Sequence, residues 1–333
     1  MILRILLGLL ILLILLVSIL AWKVQYAGRP FQVGEIPEWH VEKSDPAHWI
    51  LRSVKDPLRM TDAWIEGPDQ PRSCDTLIMI AGVAEGSEFL KLNKTVTSQA
   101  HTMLMRQPLK DFARPETFED WGLTDWWDLP ERARLEFIQN VGALKALMDY
   151  IQMESKTLGS PYSGRIVLAG GSMGAPVPSI LTGFFPEQVS ALMIIYGFTN
   201  YVAVIRNEIY RQGLTHFGIS EFAKDWTENL KRAGLWTTAH LLSWFLGNML
   251  KYGQIELYLQ GIHGTPVHFI NGVSDYLITE ETYLPMWEAA PHPKSQQWLE
   301  GDHIDPGNPK EVSRIIKLMD EWAVSQSLRE CLN

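Results

Sequence analysis

The chain has 333 residues, 46% of them hydrophobic and 11% aromatic, enough for a large buried core in one large or two ordinary domains. Its formal net charge of -9, with no basic run anywhere, excludes a surface built to read nucleic-acid phosphates. Two cysteines, Cys74 and Cys331, are too few for a disulfide framework or a zinc ribbon, and two unpaired thiols is a plainer reading than one bridge.

From Ile5 to Trp22 the chain runs 18 residues without a charge, mostly Leu and Ile. At about 1.5 Å per helical residue this nearly spans the hydrocarbon thickness of a bilayer. A cleaved signal peptide is the rival reading, but it ends in a small-x-small site. Here Ala21 and Ala27 have Ile19 and Gln25 two positions before them, so an uncleaved transmembrane anchor over residues 1–22 is preferred. Arg4 stands on one side of the run, Lys23 and Arg29 on the other, and the short head resembles an export signal. The expectation is therefore a single-pass membrane protein with its main domain outside the cytoplasm. Residues 23–46 mix Gly, Pro, Glu and Trp without periodicity and read as a juxtamembrane linker, and about His48 to Pro68 is expected to supply one or two edge strands, for example Asp62 to Glu66.

A series of short apolar runs follows, several closed by glycine: Thr76 to Ala81, Thr102 to Met105, Ile166 to Ala169, Ala191 to Tyr196, Val267 to Ile270 and Gln297 to Leu299. Continuous apolarity suits strands buried on both faces of a mostly parallel sheet. Between the second and third, Pro130 to about Met153 places Leu135, Ile138, Val141, Leu144, Leu147 and Met148 at helical spacing, with the proline read as lying in the first turn. Pro309 to Ala323 repeats the pattern at the other end. Strand alternating with helix predicts an open α/β fold, with core residues 47–197 and 263–333. Residues 198–262 break the rhythm with helical patterns at Ile219 to Ala233 and Leu235 to Leu250, and are expected to form a helical cap.

The chemistry centres on Arg165 to Gly174, where an apolar run enters Gly170-Gly171-Ser172-Met173-Gly174 and a helix-like stretch follows. Gly170 and Gly174 flank a serine on a turn too tight for side chains two places away, so its hydroxyl is pushed clear beside a helix start that can stabilise an anion. Pro176 and Pro178 crowd that start, and Pro178 is expected to cost a helical hydrogen bond. Such a hydroxyl needs a base, and the base needs an orienting acid, each just past the carboxyl end of a strand. Of nine histidines, His303 alone stands directly after the last apolar run; His268 lies inside a strand. Asp275 follows the penultimate strand and is preferred to Asp302 and Asp305, since neighbouring side chains on a turn usually diverge. Oxyanion donors are expected from the backbone N–H groups of Met173 and of Val83, in the loop after the first strong strand. The Trp121 to Asp128 segment reads as buried loop packing or as part of an apolar pocket. No metal or cofactor is called for.

The order Ser172, Asp275, His303, each at a strand end, resembles the α/β-hydrolase superfamily over about residues 65 to 325. The resemblance implies nucleophile, acid and base for those three residues, and a substrate-selecting lid for roughly residues 198–262. Two features depart from the usual pattern: Ala81-Gly82 stands where His-Gly is usual, and the two prolines follow the serine. The implied function is a membrane-anchored serine esterase, lipase-like in its preference for an apolar or lipid-like acyl substrate. A peptidase or acyltransferase on the same fold, or a binding protein that keeps the fold without turnover, remains the alternative.

Overall fold

A computed structural model describes residues 15, 17–45, 48–66, 75–80, 101–105, 123–157, 160, 162, 164–219, 226–303, 305 and 308–326. Val83, Cys74, Cys331 and most of the expected anchor lie outside them. Among the described residues no helix is long and apolar enough to cross a membrane.

A nine-stranded sheet is formed by β1 (Trp39–Asp45), β2 (His48–Ser53), β3 (Met60–Glu66), β4 (Asp75–Ile80), β5 (His101–Met105), β6 (Arg165–Gly171), β7 (Ala191–Ile195), β8 (Val267–Gly272) and β9 (Lys294–Leu299), in the order β1-β2-β3-β5-β4-β6-β7-β8-β9. The first three pair antiparallel and β3 meets β5 antiparallel; from β5 to β9 every pair is parallel. The six runs expected from apolarity are all strands. β6, β7 and β8 are buried almost throughout because helices cover both faces of a parallel sheet.

The outer strands were harder to read. β1 lies inside the expected linker, and β2 alternates buried and half-exposed residues, the mark of one covered face. β9 starts at Lys294, three residues before its apolar end, because it is last in the sheet order and can carry Lys, Ser and Gln.

The chain divides into two compact units. One comprises residues 32–120, 136–199 and 253–333 and holds the sheet. In its centre Leu77, Met79, Val167, Ala169, Met193, Ile195 and Ile270 pack with Ile315, Met319 and Trp322 of the last helix, Pro309–Ser325. His268 is buried on this side: its ring stacks on Trp322 at 4.8 Å and its Nδ1 lies 2.8 Å from Ser295 Oγ, which accepts from Trp322 Nε1. Burial pushes the His268 imidazole down to about 4, so the folded protein holds it neutral. Between an unfolded value near 6.5 and the folded value only the unfolded chain takes this proton, so stability is fully present above the window and falls as pH drops through it. The full loss would be about 3 kcal/mol. Replacing His268 with Phe should therefore shrink the drop in urea midpoint between neutral pH and about pH 4.5, whereas an equal drop in both proteins would refute this account.

The second unit comprises residues 1–31, 121–135 and 200–252. It contains a helix over residues 17–27 (α1), the first part of α2 (Leu123–Glu154), and the helices α4 (Tyr201–His216) and α5 (Trp226–Met249). Residues 200–252 of the expected 198–262 cap thus group with residues 1–31 and 121–135, while 198–199 and 253–262 belong with the sheet. Side-chain chemistry explains the grouping. Buried Lys23 reaches Asp128 (3.1 Å) and Glu131 (3.3 Å) and lies over the Trp127 ring. Buried Arg134 donates to the carbonyls of Ala27, at 3.1 Å, and Arg29, and stacks on Phe31. These residues are far apart in sequence, and no local pattern links them.

Two helix boundaries also differ from expectation. α2 begins at Leu123, so Pro130 lies inside it and the Trp121 to Asp128 segment is largely helical rather than loop, with Trp127 partly exposed. The two patterns either side of Gly234 are one helix, because a single exposed glycine costs a helix only about 1 kcal/mol.

Candidate active site

The carboxyl ends of β6, β7, β8 and β9 lie side by side, and each is followed within four residues by a residue of interest. β6 ends at Gly171, and Ser172 opens a tight 3-10 turn to Gly174 before the helix α3, Pro176–Phe184. Ser172 has φ 49°, a left-handed conformation that is costly for a residue with a side chain. The turn that imposes it is crowded: a Cβ on Gly170 would lie 2.5 Å from Ala175 Cα and 2.7 Å from both the Gly174 carbonyl oxygen and Pro178. The glycine requirement at position 170 is thus steric, and Gly174 is buried in the same turn. Pro178 costs less than expected. As the third residue of α3 its missing N–H falls among those with no partner in the helix, and Ser179 is the residue that first reaches back to Ala175.

The loops after β8 and β9 are tied together by backbone bonds from Val273 N–H to Leu299 O (2.8 Å) and from Ser274 N–H to Gly301 O (3.0 Å). Gly301 takes φ 133°, and Gly272 packs so closely that a Cβ would lie 2.8 Å from Asp302 O. This seam brings two side chains 28 residues apart together: His303 Nδ1 is 2.7 Å from Asp275 Oδ2. The other ring nitrogen, Nε2, is 2.9 Å from Ser172 Oγ.

The carboxylate is fully buried, and its second oxygen accepts the N–H groups of Leu277 (2.8 Å) and Ile278 (3.2 Å). With three donors around it the buried group is satisfied. Because the carboxylate oxygen can only accept, Nδ1 carries the ring proton and Nε2 is left to accept from the serine hydroxyl. The arrangement can therefore take a proton from Ser172 Oγ and hold it. Asp302, the rejected alternative acid, is engaged elsewhere: its Oδ1 accepts the His303 backbone N–H at 2.8 Å.

Tyr196, directly after β7, escaped the sequence reading. It too has a left-handed backbone, φ 49°, and its buried ring meets the His303 imidazole edge-to-face at 5.5 Å and 80°. Burial, reinforced by the carboxylates of Glu311 and Asp275, pushes its phenol up to about 12, so it stays neutral and offers a wall rather than a base. The signal for it was the Tyr196-Gly197 pair closing an apolar run between the serine and aspartate strands. Met173 is half-buried in the serine turn, while Val83 lies outside the described residues. Among the described residues no group of His, Cys, Asp and Glu is placed to hold a metal ion.

A parallel sheet in this strand order, with a strained serine after one strand and an aspartate and histidine after two later ones, defines the α/β-hydrolase fold, and the chain has that fold. No family model and no curated protein matches the sequence. Solved structures do. Acetyl xylan esterase 1 from Thermoanaerobacterium sp. is 11% identical over 90% of this chain and 93% of its own, with a TM-score of 0.51. The esterase domain of a Rhodothermus marinus protein is 16% identical over 83% of this chain and 96% of its own, with a TM-score of 0.49. A bacterial membrane phospholipase A is 18% identical over 98% and 99%, with a TM-score of 0.44. At 11% identity the likeness to the acetyl xylan esterase is one of fold.

Proposed function

We propose that the protein is a serine hydrolase that cleaves carboxylic esters with an apolar acyl group, held at a membrane by residues 1–22 with its hydrolase domain outside the cytoplasm. The observation that carries the reading is the unbroken chain of contacts from Ser172 through His303 to Asp275. In the first half-reaction Ser172 Oγ attacks the ester carbonyl as its proton passes to His303 Nε2. The N–H groups of Met173 and Val83 are assigned to the oxyanion of the tetrahedral intermediate. Collapse breaks the bond to the alcohol, which leaves with the proton from Nε2, and an acyl-serine remains. Water then attacks that ester while Nε2 takes its proton, and the second collapse returns the proton to Oγ and releases the acid. Throughout, Asp275 holds the imidazole and offsets its transient charge.

The preference for an apolar acyl group rests on the composition of residues 198–262, the lid in this reading, where Leu235 to Leu250 is rich in Trp, Leu and Phe. A panel of p-nitrophenyl esters of increasing chain length tests it, with activity expected to rise from acetate towards medium or long chains. Cleavage of peptide amides with no ester turnover at any length would assign the same residues to a peptidase. Absence of labelling of the folded protein by a fluorophosphonate probe would favour a binding protein.

A further inference from the structure

We infer that α5 lies on the bilayer surface as a second, in-plane membrane contact, its exposed apolar stripe buried in the lipid headgroup and acyl boundary. The inference rests on the anchor reading of residues 1–22 but concerns a different element of the chain.

α5 is 24 residues long, and one stripe of its exposed surface is apolar. Trp226, Leu230, Leu241 and Trp244 are 73, 60, 68 and 44% exposed. With Thr237 between them they recur every three, four or seven residues, one stripe on a 3.6-residue period. The two indoles of the stripe leave roughly 180–290 Å² of mostly apolar surface in water, before the two leucines are added. With the two leucines the stripe reaches the few hundred Å² of the largest apolar patch on a typical soluble protein, a patch that is often functional. From Ala233 to Met249 the helix carries no Asp, Glu, Lys or Arg, while Glu228, Lys231 and Arg232 in its first turns fall on the side away from the stripe.

The second observation fixes the occupant. The apolar run that ends at Trp22 continues into α1, where exposed Trp22 and Tyr26 stack on each other at 5.6 Å and Arg29 lies over the Tyr26 ring. Amphipathic aromatics with flanking cations are the usual residents of the membrane–water boundary. Only about 9 Å of helix separates Trp22 from Gly28. Gly28 in turn touches the end of α5: a Cβ there would lie 2.1 Å from the Asn248 carbonyl oxygen. Arg134 pins the same junction by holding the carbonyl of Ala27. The C-terminal end of α5 therefore lies about one and a half helical turns from the point where, on the anchor reading, the chain leaves the lipid, within a single compact unit. A bilayer is the apolar partner already at that point.

The test uses the full-length chain in vesicles of phosphatidylcholine and phosphatidylglycerol, with Cys74 and Cys331 replaced by Ser and one cysteine carrying the fluorophore NBD. The probe is placed in turn by Leu241→Cys on the stripe, Lys231→Cys off it, and Leu12→Cys in the anchor. Lipids bearing a nitroxide on the acyl chain should quench positions 241 and 12 several-fold more than 231, with blue-shifted emission, while iodide in the water should quench 231 most. If 12 is quenched by lipid but 241 behaves like 231, docking is wrong and the anchor stands. If neither 12 nor 241 is quenched by lipid, the anchor reading falls as well. A 241 probe shielded from both quenchers means that protein, such as a second copy of the chain, covers the stripe instead.

Discussion

Ser172→Ala is expected to lower kcat on an ester by about a millionfold, the scale on which a triad nucleophile is lost. His303 Nε2 is aimed at Ser172 Oγ, and without the oxygen no acyl-enzyme can form. What survives is the background that oxyanion donors and substrate positioning give to direct attack by water. The same variant should lose fluorophosphonate labelling completely. Its fold should not suffer, because alanine meets the same demand for φ 49° that serine already meets and the crowding lies at Gly170. Thermal unfolding beside the assay separates chemistry from stability. Labelled, active Ser172→Ala protein would remove Ser172 as the nucleophile.

Asp275→Asn is expected to lower kcat by about ten-thousandfold with little change in KM. The local hydrogen bonds say why so small a change should act so strongly. One carboxylate oxygen faces the N–H groups of Leu277 and Ile278, and the other faces His303 Nδ1. An asparagine must keep its carbonyl towards the two backbone donors, since turning the amide round would set N–H against N–H in a fully buried place. Its NH2 then points at Nδ1, which can answer only as an acceptor, so the ring proton moves to Nε2 and can no longer receive the proton of Ser172. The side chain keeps its place and the tautomer is wrong. Nuclear magnetic resonance of the imidazole nitrogens should show protonated Nδ1 in the wild type and protonated Nε2 in the variant. A variant within a few-fold of wild-type kcat would show that Asp275 does not orient the base.

Much of the molecule was legible in its sequence because the relevant physics is local. Buried parallel strands must be apolar on both faces, so β4 to β8 announced themselves, and a serine turn that excludes a Cβ at position 170 must spell glycine there. Once the strands were placed, the rule that side chains of a site gather past their carboxyl ends picked Ser172, Asp275 and His303, which the fold brings within hydrogen-bonding distance. Legibility failed where a residue's surroundings come from distant chain. An edge strand needs only one covered face, so β1 was hidden among polar residues and the start of β9 was missed.

The sequence alone determined the strand and helix alternation, the tight serine turn and the identity of three candidate site residues, since each follows from local periodicity or backbone sterics. Only the tertiary structure decided that Tyr196 walls the imidazole, that Asp275 spends one oxygen on its own loop, and that residues 1–31 and 121–135 join residues 200–252 in one unit. Those outcomes depend on which strand ends become neighbours and on single long-range pairs such as Lys23 with Asp128 and Arg134 with Ala27, and a distance of about a hundred residues leaves no periodic trace in a sequence.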